Sequence, residues 1–237
     1  MGGNVMFHDL LINGIPLVQF GGKTLLDYTI GPTPLTNDVF QGINRSNWVL
    51  LKQRFGLRLI TLTILFDGPD LRSAKLARSK FNSKIFGKND IYIPDDGFFY
   101  SVYCENIGDE IFVGEGDKNA QIKSEYQFTG IRHDALQTVS VPHGGKMNCL
   151  STMPFTDCRL TATVGTGGSN YQLGGVKIAS VAAGDVIVFD GINCAITKNG
   201  ANAAASATWM EFPTLIPGEN AFTCADTVKV EYYPTYI

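Results

Sequence analysis

Residues 58–66 read Arg-Leu-Ile-Thr-Leu-Thr-Ile-Leu-Phe, and this run most narrows what the chain can become. A period of two places Ile60, Leu62, Ile64 and Phe66 on one face and Leu59, Thr61, Thr63 and Leu65 on the other. The first set is wholly apolar and is predicted to face a core. A strand with one apolar face must bury it against a second layer. Asp67-Gly68-Pro69-Asp70 then stops the run and supplies Asp70 as a helix N-cap. Leu71, Ala74, Ala77, Phe81 and Ile85 follow at spacings of three and four, with no Gly or Pro between, which predicts one helix over about 70–86. Its other face carries Arg72, Lys75, Arg78, Lys80 and Lys84. Such a face is either a solvated helix back or a basic lining of an assembly surface.

The rest of the chain reads as strands. Phe7–Ile12 and Pro16–Phe20 flank an Asn13-Gly14 turn, and Leu25–Ile30 follows Gly21-Gly22. From Gly31 to Asn47 the chain is polar and punctuated by Pro and Gly, with only Val39, Phe40 and Ile43 isolated within it. It is expected to be a long loop or extended arm, and such segments are often functional. Asp95-Asp96-Gly97 joins 90–94 to 98–105 as a hairpin, and strands are expected at 111–116 and 122–128. Beyond Gly130 every apolar run is short and bounded by turns. Candidates are 136–141, 159–164, 175–181, 185–189, 194–198, 208–211, 220–224 and 227–233, with flexible loops at 165–169 and 201–207. About eight strands at this spacing predict a β-sandwich or jelly roll. The fold class is therefore all-β with one helix, in two domains, 1–130 and 131–237.

Composition narrows the function. The chain is 44% hydrophobic and 17% charged with a net charge of −3. Low charge suits either an uncharged β domain or a surface that faces other subunits. Residues 1–130 carry 13 basic and 14 acidic side chains, and 131–237 carry 6 and 8. Neither half has the basic excess that phosphate contacts need, so sequence-specific nucleic-acid binding is not expected. Cys104, Cys149, Cys158, Cys194 and Cys224 are odd in number and lack CxxC spacing, so reduced thiols and folding in a reducing cytosol are expected. No signal peptide or membrane-spanning run is read.

No reactive constellation stands out. His8, His133 and His143 are scattered, and GxSxG and HExxH are missing. Gly165-Thr166-Gly167-Gly168-Ser169 lacks the Lys-Ser/Thr ending of a phosphate loop. Asp95-Asp96 is better explained by its turn than by a cation. No catalytic residue, metal ligand or cofactor is expected, and the protein reads as non-enzymatic. Trp209 and Tyr233 are candidate sugar or partner contacts, because exposed aromatic rings stack on sugars or anchor interfaces; core packing is the competing role for Trp209.

The order of these pieces is similar to that in the distal tail proteins of siphophages, the long-tailed non-contractile phages. Gly56–Ile64, Phe66-Asp67-Gly68, the helix and Ile91–Tyr100 with its Pro94-Asp95-Asp96-Gly97 turn resemble that family's N-terminal domain. Gly184–Gly191, Lys198-Asn199-Gly200 and Phe212–Asn220 resemble the end of its C-terminal galectin-like sandwich. Segments 31–47 and 142–157 match nothing familiar. The resemblance implies a structural virion protein. Its N-terminal domains form a hexameric ring between the tail tube and the tail-tip or baseplate proteins, made in the host cytoplasm and carried on the phage tail tip. Within such a ring, segment 31–48 is the candidate arm to a neighbour, with Phe40, Asn44 and Trp48 at the subunit interface. The alternative is a carbohydrate-binding β-sandwich in host adhesion. Against it, Trp209-Met210-Glu211 departs from the Trp-x-x-Glu of galectins, and His-x-Asn-x-Arg is missing.

Residues 131–237, expressed alone, are expected to give a cooperative thermal transition with a β-type far-ultraviolet spectrum, because about 100 residues suffice for a sandwich. An unfolded spectrum contradicts the division.

Overall fold

The computed structural model describes residues 10–44, 46–116 and 119–237. The chain divides into two compact units, one of residues 1–132 with Ile237 and one of residues 133–236. Strands of four residues or more are numbered in chain order.

In the first unit these are β1 (Thr24–Ile30), β2 (Leu35–Gln41), β3 (Trp48–Phe55), β4 (Arg58–Gly68), β5 (Lys88–Ile93), β6 (Phe98–Ile107), β7 (Ile111–Gly116) and β8 (Asn119–His133), with helix α1 (Leu71–Lys84) between β4 and β5. The main sheet runs β5-β6-β8-β4-β1, extended beyond β5 by the short pair Leu11–Ile12 and Ile15–Pro16, with β7 beside the start of β8. Ile60, Leu62, Ile64 and Phe66 are fully buried, as the alternation requires. β8, the neighbour of β4 in the sheet, continues the same apolar face: Ile122 pairs with Phe66, Tyr126 with Leu62 and Phe128 with Ile60. The helix closes this face through Ala74 and Phe81. The Phe81 ring lies 4.9 Å from Tyr126 and 5.6 Å from Phe66, both tilted arrangements that aromatic quadrupoles favour. Asp70 caps the helix, its carboxylate accepting from the Ser73 amide at 2.7 Å.

Gly130 lies inside β8 rather than in a linker. A Cβ there would sit 2.2 Å from the Ser101 carbonyl oxygen, so only glycine lets β6 and β8 approach this closely.

Five expectations need correction. Of residues 208–211 only Thr208 is in a strand, the short Ala207–Thr208. Residues 201–207, expected to be a flexible loop, hold the short strand Ala201–Asn202 and a 3-10 turn at Ala204–Ser206. Residues 17–20 form a 3-10 turn, not a strand. Leu17 and Phe20 are buried while Val18 is exposed, and a spacing of three suits that geometry. Segment 31–47 is not a loop: most of it belongs to a β-hairpin. Residues 168–173, expected to be a flexible loop in part, form a strand. Residues 7–9 of the expected first strand, His8 among them, lie outside the described residues.

The second unit holds β9 (Gln137–Val141), β10 (Lys146–Cys149), β11 (Thr156–Thr163), β12 (Gly168–Leu173), β13 (Val176–Val181), β14 (Val186–Asp190), β15 (Ala195–Lys198), β16 (Gly218–Ala221) and β17 (Val228–Tyr232). The larger sheet runs β9-β17-β11-β14-β15, β12 and β13 pair in a second sheet and β10 pairs β16 in a third, all antiparallel. One core draws on all three: Leu160, Ile187, Phe189 and Val230 from the first, Leu173, Val176 and Ile178 from the second, Met147 and Cys149 from the third. Cys158 is fully buried there, and burial pushes its thiol up to about 12, so it stays a neutral apolar side chain. The β14–β15 turn hangs on buried Asp190, which accepts from the Ile192 and Asn193 amides at 3.0 and 3.1 Å, Asn193 Nδ2 at 2.9 Å and Arg159 Nε at 2.8 Å. Burial alone would raise its pKa, but the hydrogen bonds from Asn193 and Arg159 outweigh it, and the carboxyl titrates below its usual range.

A depressed carboxylate stabilises the fold above its unfolded pKa, and that stability is lost as pH falls through the folded value. Asp190→Asn is therefore expected to cost about 1–3 kcal/mol at neutral pH. The difference from wild type shrinks as the solution is taken below about pH 4. Urea unfolding at pH 7 and pH 3 measures both, and a pH-independent difference contradicts the account.

Candidate assembly interface

β2 and β3 form a two-stranded antiparallel sheet that pairs with no other strand among the described residues. The register runs from Leu35 opposite Phe55 to Gln41 opposite Trp48, with Leu51 as the extra residue of a bulge. Above the apolar Leu35–Phe55 pair at the root the cross-strand contacts are polar: Gln53 donates to Asn37 at 2.8 Å, and Arg54 meets Asp38 at 3.4 Å. Toward the tip they are apolar. Val39 opposes Leu50 and Phe40 opposes Val49. Phe40 is 59% exposed, Trp48 62%, Leu51 66% and Ile43 92%, and Val39, Val49 and Leu50 are exposed with them. Both faces of the distal hairpin are therefore apolar and open.

That arrangement is costly. Apolar surface left in water forfeits about 25 cal/mol per Å², and a lone two-stranded hairpin is marginal in water. The chain nonetheless holds the arm firmly at its root. The Gly56 amide donates to the Pro34 carbonyl at 2.8 Å, and the Gly31 amide to the Leu59 carbonyl at 2.8 Å. Arg58, 5% exposed, donates from its guanidinium to Thr33 Oγ1 at 2.6 Å. Burial lowers its pKa and the Arg132 guanidinium lowers it further, while Tyr100 and Asp96 oppose them. Arginine remains charged through shifts of this kind, so the first residue of β4 is a charged hydrogen-bond donor that pins the base of the arm.

The three residues proposed from sequence for a subunit contact all lie on this hairpin. Phe40 and Trp48 sit on opposite faces, because Phe40 pairs with Val49 and Trp48 with Gln41. Asn44 is in the tip turn with φ +60°, a left-handed conformation that asparagine tolerates. Sequence reasoning missed Val49, Leu50 and Leu51 as members of the same surface. Their signal was the run Trp48-Val49-Leu50-Leu51, whose alternation the bulge breaks.

The remaining candidates lie elsewhere. Trp209 packs partly buried against the second core, its ring 6.2 Å from Phe212. Tyr233 is 38% exposed and meets His133 edge-on at 5.2 Å. The two thus have different ring partners. The basic face of α1 is divided in use: Arg78 donates to Ser124 Oγ at 2.7 Å, Glu110 at 3.1 Å and the Gly108 carbonyl at 2.8 Å, and Lys75 meets Glu110 at 3.2 Å. Arg72, Lys80 and Lys84 face solvent. Among the described residues no group of three His, Cys, Asp or Glu side chains could hold a metal ion, and no helix is long and apolar enough to cross a membrane.

Chains of similar fold occur among solved structures. The chain superposes on the SPP1 Dit protein, described as a paradigm of the hub adsorption apparatus in phages infecting Gram-positive bacteria, with a TM-score of 0.73 over 97% of this chain and 99% of that one, at 11% identity. The fold is that of SPP1 Dit. Two structures of the phage P2 baseplate in its activated conformation, with calcium and with strontium, contain chains that match at TM-scores of 0.50 and 0.52, each over 92% of both chains at 8% identity. No family model and no curated protein matches the chain.

Because both side chains are exposed, Phe40→Ala with Trp48→Ala is expected to shift the unfolding free energy of the dilute monomer by no more than about 0.5 kcal/mol. Thermal or urea unfolding measures this, and a large loss would make the two residues part of a core.

Proposed function

We propose that the protein is a structural component of a phage tail tip. In this reading six copies close into a ring through the N-terminal unit, and the ring joins the tail tube to the tail-tip or baseplate proteins. The C-terminal unit is a galectin-like sandwich that projects from the ring. The observation that carries the reading is the exposed apolar arm of β2 and β3 on a chain with the Dit fold. A protein that places Phe40, Ile43, Trp48 and Leu51 in water has a surface that association would cover. A ring of identical subunits needs a contact between two different surfaces that closes on itself, and a projecting hairpin suits one half of such a contact. The number six and the neighbours in the tail come from the likeness to siphophage distal tail proteins.

The role is non-enzymatic, and the protein is a virion component assembled from copies made in the host cytoplasm. The partly buried position of Trp209 against Phe212 favours a packing role for that ring over a sugar platform.

Mass measurement in solution and electron microscopy test the assembly. Closed rings of six are expected for the wild type, alone at high concentration or with its tail-tube partner. Phe40→Ala with Trp48→Ala is expected to leave mainly monomer. A wild-type protein that stays monomeric under both conditions, or a ring closed by residues 133–236, contradicts the proposal.

A further inference from the structure

The main sheet of the N-terminal unit has a stretch of backbone edge with no strand beside it among the described residues. β6 outruns β5: their last pair is Tyr103 with Lys88, while β6 continues to Ile107. β7 then takes up the same side of β8, from Ile111 opposite Lys123, and among the described residues pairs with no other strand. The Gly108 amide bonds the Glu125 carbonyl between them at 2.8 Å, so the two segments follow one another along β8. Tyr103, Ile107, Ile111, Phe112 and Val113 along this edge are each 40–54% exposed. An apolar strand edge of this kind recruits another strand unless something covers it.

Charge and shape point to one occupant. Residues 103–114 carry Glu105, Asp109 and Glu110 and no basic residue, a net of −3. Lys75 and Arg78 engage Glu110 from within the chain; Glu105 and Asp109 retain the excess. The arm strands β2 and β3 carry Lys52 and Arg54 against Asp38, 2 − 1 = +1. The arm is thus the complement of the edge in charge. It also offers a strand of the right kind. β2 has seven residues, no bulge and none of the Lys, Arg or Pro residues that blunt an edge, because the bulge falls on β3. β7 has six residues.

We infer that the edge formed by Cys104–Ile107 and β7 receives the arm of a second copy, with β2 added beside it as a further strand. The inference rests on the assembly proposed above and names the acceptor for its arm. The contact joins two different surfaces of one chain, so it repeats from copy to copy as a ring requires. Backbone hydrogen bonds along β2 supply the register, the apolar side chains of both elements leave water together, and the opposite charges steer encounter.

The test places the photo-reactive analogue p-benzoylphenylalanine at Phe40 of the full chain. Light and heavy isotope preparations are mixed at assembling concentration and irradiated, and the joined peptides are identified by mass. Cross-links between a light arm and residues 103–116 of a heavy chain are expected. Cross-links from the arm to another region of a second copy overturn this inference and leave the ring reading standing. Cross-links confined to one chain, or none between copies, overturn both. In a second measurement Glu105→Lys, which reverses a charge and blunts the edge, is expected to raise the dissociation constant of assembly roughly tenfold. Assembly at the wild-type constant overturns the inference.

Discussion

The ladder between β4 and β8 organises the N-terminal unit. Its register is unbroken from Arg58 opposite Gly130 to Gly68 opposite Ala120. A slip by one residue would turn Ile60, Leu62, Ile64 and Phe66 to the other face, so the register is fixed by burial itself. Besides Arg58, the buried side of the ladder carries the polar side chain of Ser124. That hydroxyl accepts from Arg78 Nε and donates to the Asp109 carbonyl at 3.2 Å. The helix and the loop before β7 are therefore tied to the ladder through a satisfied group, where an unsatisfied one would be expensive. At its other end the ladder sets Arg58, and Arg58 sets the root of the arm.

The arm inverts the usual arrangement of a β protein: above its Leu35–Phe55 base pair come polar pairs, and the large apolar side chains gather toward its tip. In the single chain those tip side chains stay exposed. On the assembly proposed here the compensation comes from a second copy, and the well-pinned root keeps the ordering cost of association low. The same account explains why the edge along Cys104–Gly116 is left apolar and acidic rather than blunted by lysine.

Much of the fold is legible in the residues where one physical signal dominates. The alternation of 58–66 predicts its buried face, Asp70 predicts the start of the helix, and Asp95-Asp96-Gly97 predicts a hairpin turn, where Gly97 has φ +78°. Legibility fails where two signals conflict. β2 opens with Thr36-Asn37-Asp38, a turn-like composition, and β3 carries a bulge at Leu51, so the hairpin reads as a loop. β12 follows Gly165 and Gly167, begins at Gly168 and sends only Tyr171 and Leu173 into the core. Leu17 and Phe20 are apolar enough for a strand but spaced for a 3-10 turn. Of the candidate interface, Phe40 and Trp48 were visible as large apolar residues without a core pattern. Their placement on opposite faces was not, because it depends on a register that only the paired strands define.

The central claim is that the arm stands in water in the single chain and is covered when copies associate. Hydrogen–deuterium exchange of residues 35–55, followed in dilute monomer and in the assembled protein, measures this directly. The account predicts fast exchange of the outward-facing β2 amides in the monomer and strong protection of them in the assembly, with the β4 amides protected in both. Equal exchange of the arm in the two states, or an arm already protected in the monomer, would contradict it.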